Sequence, residues 1–87
     1  MYSVYILQCA DGSYYVGLSE NPLKRVAAHN QGRGSIHTAK HLPVRLVHEE
    51  VCGSLRQAVA RERQIKHWTR AKKEALIAGD LALLKRL

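Results

Sequence analysis

Cysteine is scarce in this 87-residue chain, and its two examples, Cys9 and Cys52, stand apart. They are too few for a disulfide framework and lack the paired spacing of a Cys-x-x-Cys metal site, so reduced thiols in the cytoplasm are the simplest reading. No apolar stretch approaches the roughly 20 residues a bilayer-spanning helix needs. Met1 leads straight into strand-like sequence rather than into a basic stretch and an apolar run, so neither a signal peptide nor a membrane association is expected. There is no internal repeat and no low-complexity linker, and the length admits one domain over residues 1–87 with one modest core. Residues 1–20 also lack any Lys or Arg, although the whole chain carries 14 of them against 7 acids, a formal charge of +7. With an apolar fraction of 46%, the chain has the composition of a folded domain, not a disordered one. A basic excess confined to the remainder points to a polyanionic partner, with nucleic acid first in line. A merely solvated basic surface is the plainer explanation of the same charge.

What the N-terminus does contain is two tyrosine-bearing triplets, Ser3-Val4-Tyr5 and Tyr15-Val16-Gly17, on either side of Ala10-Asp11-Gly12. A two-residue Asp11-Gly12 turn would send Tyr5 and Tyr15 to opposite faces of a hairpin. A three-residue loop closing between Cys9 and Ser13, with Gly12 left-handed, instead pairs Tyr5 with Gly17 and Leu7 with Tyr15. Both phenols then share one face as diagonal neighbours. That face reads as a polar site, and Gly17 as a gap that leaves an open, solvated cleft beside Tyr5. The other face, with Tyr2, Val4, Ile6, Tyr14, Val16 and Leu18, reads as core.

Further along, Asn21-Pro22 has the form of a helix cap followed by proline in the first turn. Leu23, Val26, Ala27 and Asn30 make the inward stripe of that helix. Residues 31–42 form a polar, glycine-bearing loop, longer than most connections and a candidate functional loop. Pro43 opens a third strand over about Arg45–Val51. Ser54-Leu55-Arg56-Gln57 is a capping box, starting a helix with Leu55, Ala58, Val59 and Ile65 along one side and an end near Trp68. Thr69 caps another helix that stops at Gly79, and Asp80 caps a last turn anchored by Leu81, Leu84 and Leu87. The order β-β-α-β-α-α predicts an α+β fold with a three-stranded sheet flanked by helices.

Three more residues complete a chemical set. Arg25 and His29, four apart, project from one side of the first helix. Arg25 offers an always-charged fork that fits a phosphate, and His29 exchanges protons near neutral pH. Glu62 is the sole acid between Glu50 and Glu74 and lies near an apolar stripe, where a carboxylate needs a partner or a metal. An i,i+4 pair with Lys66 is the bland account of it, worth roughly 0.3–0.5 kcal/mol. His37, His41 and Cys52 lack the paired spacing of zinc ligands. Trp68 reads as core, and Arg70, Lys72 and Lys73 as solvated charges.

The ordered set Tyr5, Tyr15-x-Gly17, Arg25, His29 and Glu62 resembles that of the GIY-YIG nucleases, in their small stand-alone branch, from Tyr2 to about Ile77. Ser3 and Val4 replace the Gly and Ile of the first motif, and no asparagine follows Asn30, where many members use one beyond the glutamate. Related domains serve homing endonucleases, restriction enzymes and a bacterial excision-repair incision nuclease. The resemblance implies hydrolysis of DNA phosphodiesters, with RNA not excluded, no small-molecule cofactor, and one divalent cation, Mg²⁺ or Mn²⁺, held by Glu62. It implies Arg25 as phosphate clamp, Tyr5 as general base, and Tyr15 and His29 positioning water and adjusting proton traffic. Lys24, Arg33, Lys40 and Arg45 are the basic residues expected along the nucleic acid. A non-catalytic nucleic-acid-binding module of the same fold is the alternative, and an interaction domain with a targeting protein partner a third.

Overall fold

The first hairpin closes on Cys9 and Ser13. Cys9 N–H donates to Ser13 O at 2.8 Å, and Gly12 N–H donates to Cys9 O at 2.9 Å. Gly12 takes a φ of 88°, a conformation that glycine adopts without a Cβ penalty. In the computed structural model, which describes residues 1–87, this loop joins β1 (Tyr2–Gln8) to β2 (Tyr14–Ser19). Tyr5 pairs with Gly17 and Leu7 with Tyr15, the register expected of the three-residue loop. After β2 come α1 (Pro22–Asn30), α2 (Ile36–Ala39), β3 (Arg45–Cys52), α3 (Leu55–Lys66), α4 (Arg70–Ala78) and α5 (Leu81–Arg86). The sheet is antiparallel in the order β2-β1-β3, and the fold is α+β. Along β1–β3 the pairing passes over Val47, since Ile6 faces His48 while Leu7 faces Leu46. No helix is long and apolar enough to cross a membrane.

One face of the sheet holds the main core. Val4, Ile6 and Val16 pack with Ala58 and Ile65 of α3 and Leu76 of α4, and Tyr2, Tyr14, Leu18 and Trp68 close around them. Capping fixes where α3 begins: Ser54 Oγ accepts from Gln57 N–H at 3.2 Å, and Gln57 Oε1 accepts from Gly53 N–H. Burying a side chain such as Ile65 contributes about 1.5–3 kcal/mol relative to leaving it exposed.

The opposite face differs from the expected open polar surface. Tyr5, Leu7, Cys9 and Val44 form a second buried cluster, edged by Tyr15, Val26, Leu42 and Leu46. Helix α1 covers it with Val26 and the buried His29, which meets Tyr5, while Leu23 is 73% exposed. The inward stripe is therefore turned from the one a purely apolar reading selects, because a hydrogen-bonded histidine occupies a core position. Asn30 ties α1 to the head of β3: its Nδ2 donates to Val44 O at 3.0 Å and its Oδ1 accepts from Val44 N–H at 2.7 Å. The stretch read as a loop over 31–42 contains the single turn α2, capped by Ser35. At the C-terminus only Leu84 packs inward; Leu81 is 61% exposed and Leu87 is exposed too, so two of the three expected anchors are absent.

Candidate active site

Tyr5 sits at the centre of the site with 1% of its surface exposed. A Cβ on Gly17 would lie 2.4 Å from both Cζ and Oη of Tyr5. The missing side chain is thus filled by the tyrosine ring itself. This corrects the expected cleft: the space beside Gly17 is packed, not solvated. The Tyr5 hydroxyl lies 3.3 Å from His29 Nε2. Tyr15, half-buried, stands with its ring centroid 6.5 Å from that of Tyr5 and 5.1 Å from the His29 imidazole. The register of the hairpin and the phase of α1 bring these three rings together.

His29 is fully buried, and its Nδ1 lies 2.8 Å from Thr38 Oγ1 on α2, which is also fully buried. Burial, and then the Arg25 charge, hold the imidazole below its ordinary pKa of 6.5. At neutral pH it is uncharged. Burial pushes the Tyr5 phenol up, and Tyr15 and Glu62 add to this, while the nearby Arg25 pulls it back. Arg25 itself is exposed, one turn before His29. With Lys24, Ser19, Glu20, Asn21 and Ala28 it lines a cleft of about 350 Å³. Glu62 is half-buried on α3, and its Oε1 meets Lys66 Nζ at 2.9 Å, so the i,i+4 pair forms. Glu62 raises the Lys66 pKa, to which Tyr15 also contributes, linking this pair electrically to the tyrosines.

The other basic candidates are scattered. Arg33 bonds to Gln31, and Lys40 is exposed at the end of α2. Arg45 donates through Nε and Nη2 to Gln8 Oε1 and borders a different, larger cavity at the hairpin tip, away from the three rings. His37 and His41 stack near that tip, His41 Nδ1 lying 3.4 Å from Asp11 and His37 Nε2 2.9 Å from Ser13 Oγ. Cys52 pairs with Tyr2 at the far end of the sheet, and no three His, Cys, Asp or Glu residues are arranged to hold a metal. A cation with mostly water and phosphate ligands needs only one or two carboxylates, and half-buried Glu62, whose charge is felt by Tyr5, is the carboxylate available for it here. Arg70 departs from the solvated role expected of it: it donates to Gly12 O at 2.9 Å, lies over Tyr14 and pairs with Glu74. Trp68 packs against the core, with Arg61 and Lys72 over its ring.

Sequence reasoning missed Thr38 and Gly34, both against the His29 ring. The one local signal was the Ser35-x-x-Thr38 cap spacing, which says where a helical turn starts but not what it faces.

A buried phenol and imidazole, an arginine at a cleft and a carboxylate paired with a lysine are the reactive groups this part of the fold presents. Residues 1–75 match the model of the GIY-YIG catalytic domain. The chain belongs to the GIY-YIG family. It is 42% identical over 76 residues to a UPF0213 protein of Lacticaseibacillus paracasei, covering 87% of this chain and 85% of the relative. To the UPF0213 protein VNG_2274C of Halobacterium salinarum it is 45% identical, covering 87% and 99%. The solution NMR structure of the UPF0213 protein BH0048 from Bacillus halodurans superposes with a TM-score of 0.58 at 38% identity, over 90% of this chain and 84% of that one.

Proposed function

We propose that the protein is a metal-dependent endonuclease that hydrolyses DNA phosphodiester bonds, working in the cytoplasm. The buried contact between Tyr5 Oη and His29 Nε2, beside Arg25, carries this reading. A phenol pushed up by burial keeps its proton at neutral pH, so it cannot act as a base unless that proton has somewhere to go. His29, held neutral, is the acceptor. As Tyr5 Oη takes a proton from the attacking water, its own proton passes to His29 Nε2. The water oxygen bonds to phosphorus, the ester bond to the leaving sugar oxygen breaks, and the proton stored on His29 passes back through Tyr5 Oη to that oxygen. Arg25 clamps the phosphate, and Tyr15 holds the water in place. Glu62 would hold Mg²⁺ or Mn²⁺, which supplies charge stabilisation at the phosphate and leaving oxygen. Lys24, at the Arg25 cleft, would contact the adjoining backbone, with Arg33, Lys40 and Arg45 further out.

A non-catalytic nucleic-acid-binding module is favoured by one observation, the Glu62–Lys66 pair, which gives the carboxylate a partner without metal. Glu62→Gln separates the two. For the nuclease, cleavage of duplex, single-stranded or branched DNA with Mg²⁺ should fall by about 10²–10⁴ or more, while metal-free binding persists. Unchanged cleavage would remove Glu62 from the reaction. No cleavage by the wild type on any substrate, with binding retained, would leave the module.

A further inference from the structure

The two ring nitrogens of His29 have different partners, and the hydrogen-bond arithmetic around them has a direction. Thr38 Oγ1 carries one proton. The Ser35 carbonyl, 3.1 Å away, is able only to accept it. Ser35 Oγ, at 3.2 Å, already accepts from Thr38 N–H as the cap of α2. With its proton on the Ser35 carbonyl, Thr38 Oγ1 is an acceptor, and His29 Nδ1, 2.8 Å away, is its donor. A neutral imidazole has one N–H, so Nε2 is bare and faces the Tyr5 hydroxyl.

We infer that Thr38 is a positioning residue: its hydroxyl fixes His29 in the Nδ1–H form and so makes Nε2 the acceptor of the Tyr5 proton. The opposite polarity leaves the Ser35 carbonyl with Ala39 N–H alone, at 3.0 Å, and turns an N–H toward the phenol, which blocks transfer in the needed direction. The backbone supports the same arrangement. A Cβ on Gly34 would fall 1.9 Å from His29 Nδ1 and 2.5 Å from Cε1, so the chain at Gly34 is pressed against the ring. Gly34, the Ser35 carbonyl and Thr38 together form a cradle, and α2 is the single turn that holds Thr38 inside it. The groups with titratable or fixed charge facing His29 are Tyr5 from β1, Tyr15 from β2 and Arg25 from its own helix. No carboxylate orients the imidazole. A histidine that is to receive a proton is commonly oriented by a carboxylate or a carbonyl; a hydroxyl sets the tautomer without drawing a proton onto the ring beforehand.

The functional half of this inference rests on the Tyr5–His29 step proposed above, whereas the tautomer does not. The test is therefore ¹⁵N NMR of histidine-labelled protein above the imidazole titration, with the His29 signals assigned by their loss in His29→Gln. The wild type should show Nδ1 protonated and Nε2 bare. Thr38→Val, of nearly the same shape, should lose that preference, and cleavage should fall about 10–100-fold, as for other partners that orient a working histidine. Thr38→Ser should restore both. A wild-type ring protonated at Nε2 overturns the inference outright, even if the valine variant does not fold. So does a Thr38→Val ring that keeps the wild-type tautomer. If the tautomer follows Thr38 while no form of the protein cleaves DNA, Thr38 retains its positioning role and the nuclease reading is what fails.

Discussion

The two faces of the sheet are both buried, yet they are held together by different physics. On one, Val4, Ile6 and Val16 meet Ala58, Ile65 and Leu76, and shape alone determines the fit. On the other, Tyr5 and Leu7 share the interior with His29 and Thr38, whose polar atoms are satisfied in a chain from phenol to imidazole to hydroxyl to carbonyl. No buried side-chain polar atom is left without a partner. The first face tolerates a change of chemistry poorly. The second orders its groups just as tightly, but any member removed leaves another uncompensated. The first face is held by apolar packing, and the second adds a buried hydrogen-bonded chain to it.

Tyr5→Phe gives the sharpest contrast. Cleavage should drop by about 10²–10⁴, the usual contribution of a positioned acid or base, with DNA affinity nearly unchanged. Because His29 Nε2 then lacks its donor, stability should also fall by about 1–3 kcal/mol. Single-turnover cleavage and urea unfolding measure the two effects, and full activity in the phenylalanine variant would break the division between the faces.

Ile65→Ala is the mirror experiment. It should cost about 2–5 kcal/mol of stability through lost burial and a residual cavity. Cleavage per folded molecule should fall far less than in the phenylalanine variant, since Ile65 packs on the face opposite Tyr5 and His29, although it shares α3 with Glu62. A large loss of turnover at a temperature where the variant is folded would show that the faces are coupled.

Smallest is the effect of pH. The His29 pKa is lowered by folding, so the unfolded chain binds a proton that the native protein refuses. Stability is then whole above the ordinary value of 6.5 and declines as pH falls below it toward the lowered native value. The decline should vanish in His29→Gln, as read from urea midpoints at several pH values. Glu50, held low by Arg61 and His48 against the opposing effect of burial, adds a separate loss only below its ordinary value of 4.5.

The hairpin was legible because its loop chemistry leaves few options: with Gly12 left-handed between Cys9 and Ser13, the Tyr5–Gly17 pairing follows. The capped starts of α1, α3, α4 and α5 were legible for the same local reason. The burial of His29 was not, since apolar periodicity scores Leu23 above a histidine and knows nothing of Thr38, nine residues away. Gly17 was ambiguous by nature. A missing side chain leaves a void or admits a neighbour, and only the third dimension decides that Tyr5 fills it. The Arg70 contact with Gly12 spans 58 residues, and nothing in either segment announces it.

The paired bonds between Asn30 and Val44 have a consequence for how this protein varies. They pinch the chain into a neck, and the segment between the end of α1 and the head of β3 closes there, held a second time at its far end, where Ala10 N–H donates to His41 O. Lengthening such a segment is thermodynamically mild, about 0.6 kcal/mol for each doubling of a flexible loop. Its outer rim, with Arg33 and Lys40, is therefore free to be rewritten as an interchangeable cassette without disturbing the sheet. Its inner rim is not: Gly34, Ser35 and Thr38 lie against the imidazole and set the limit of what grafting there can change.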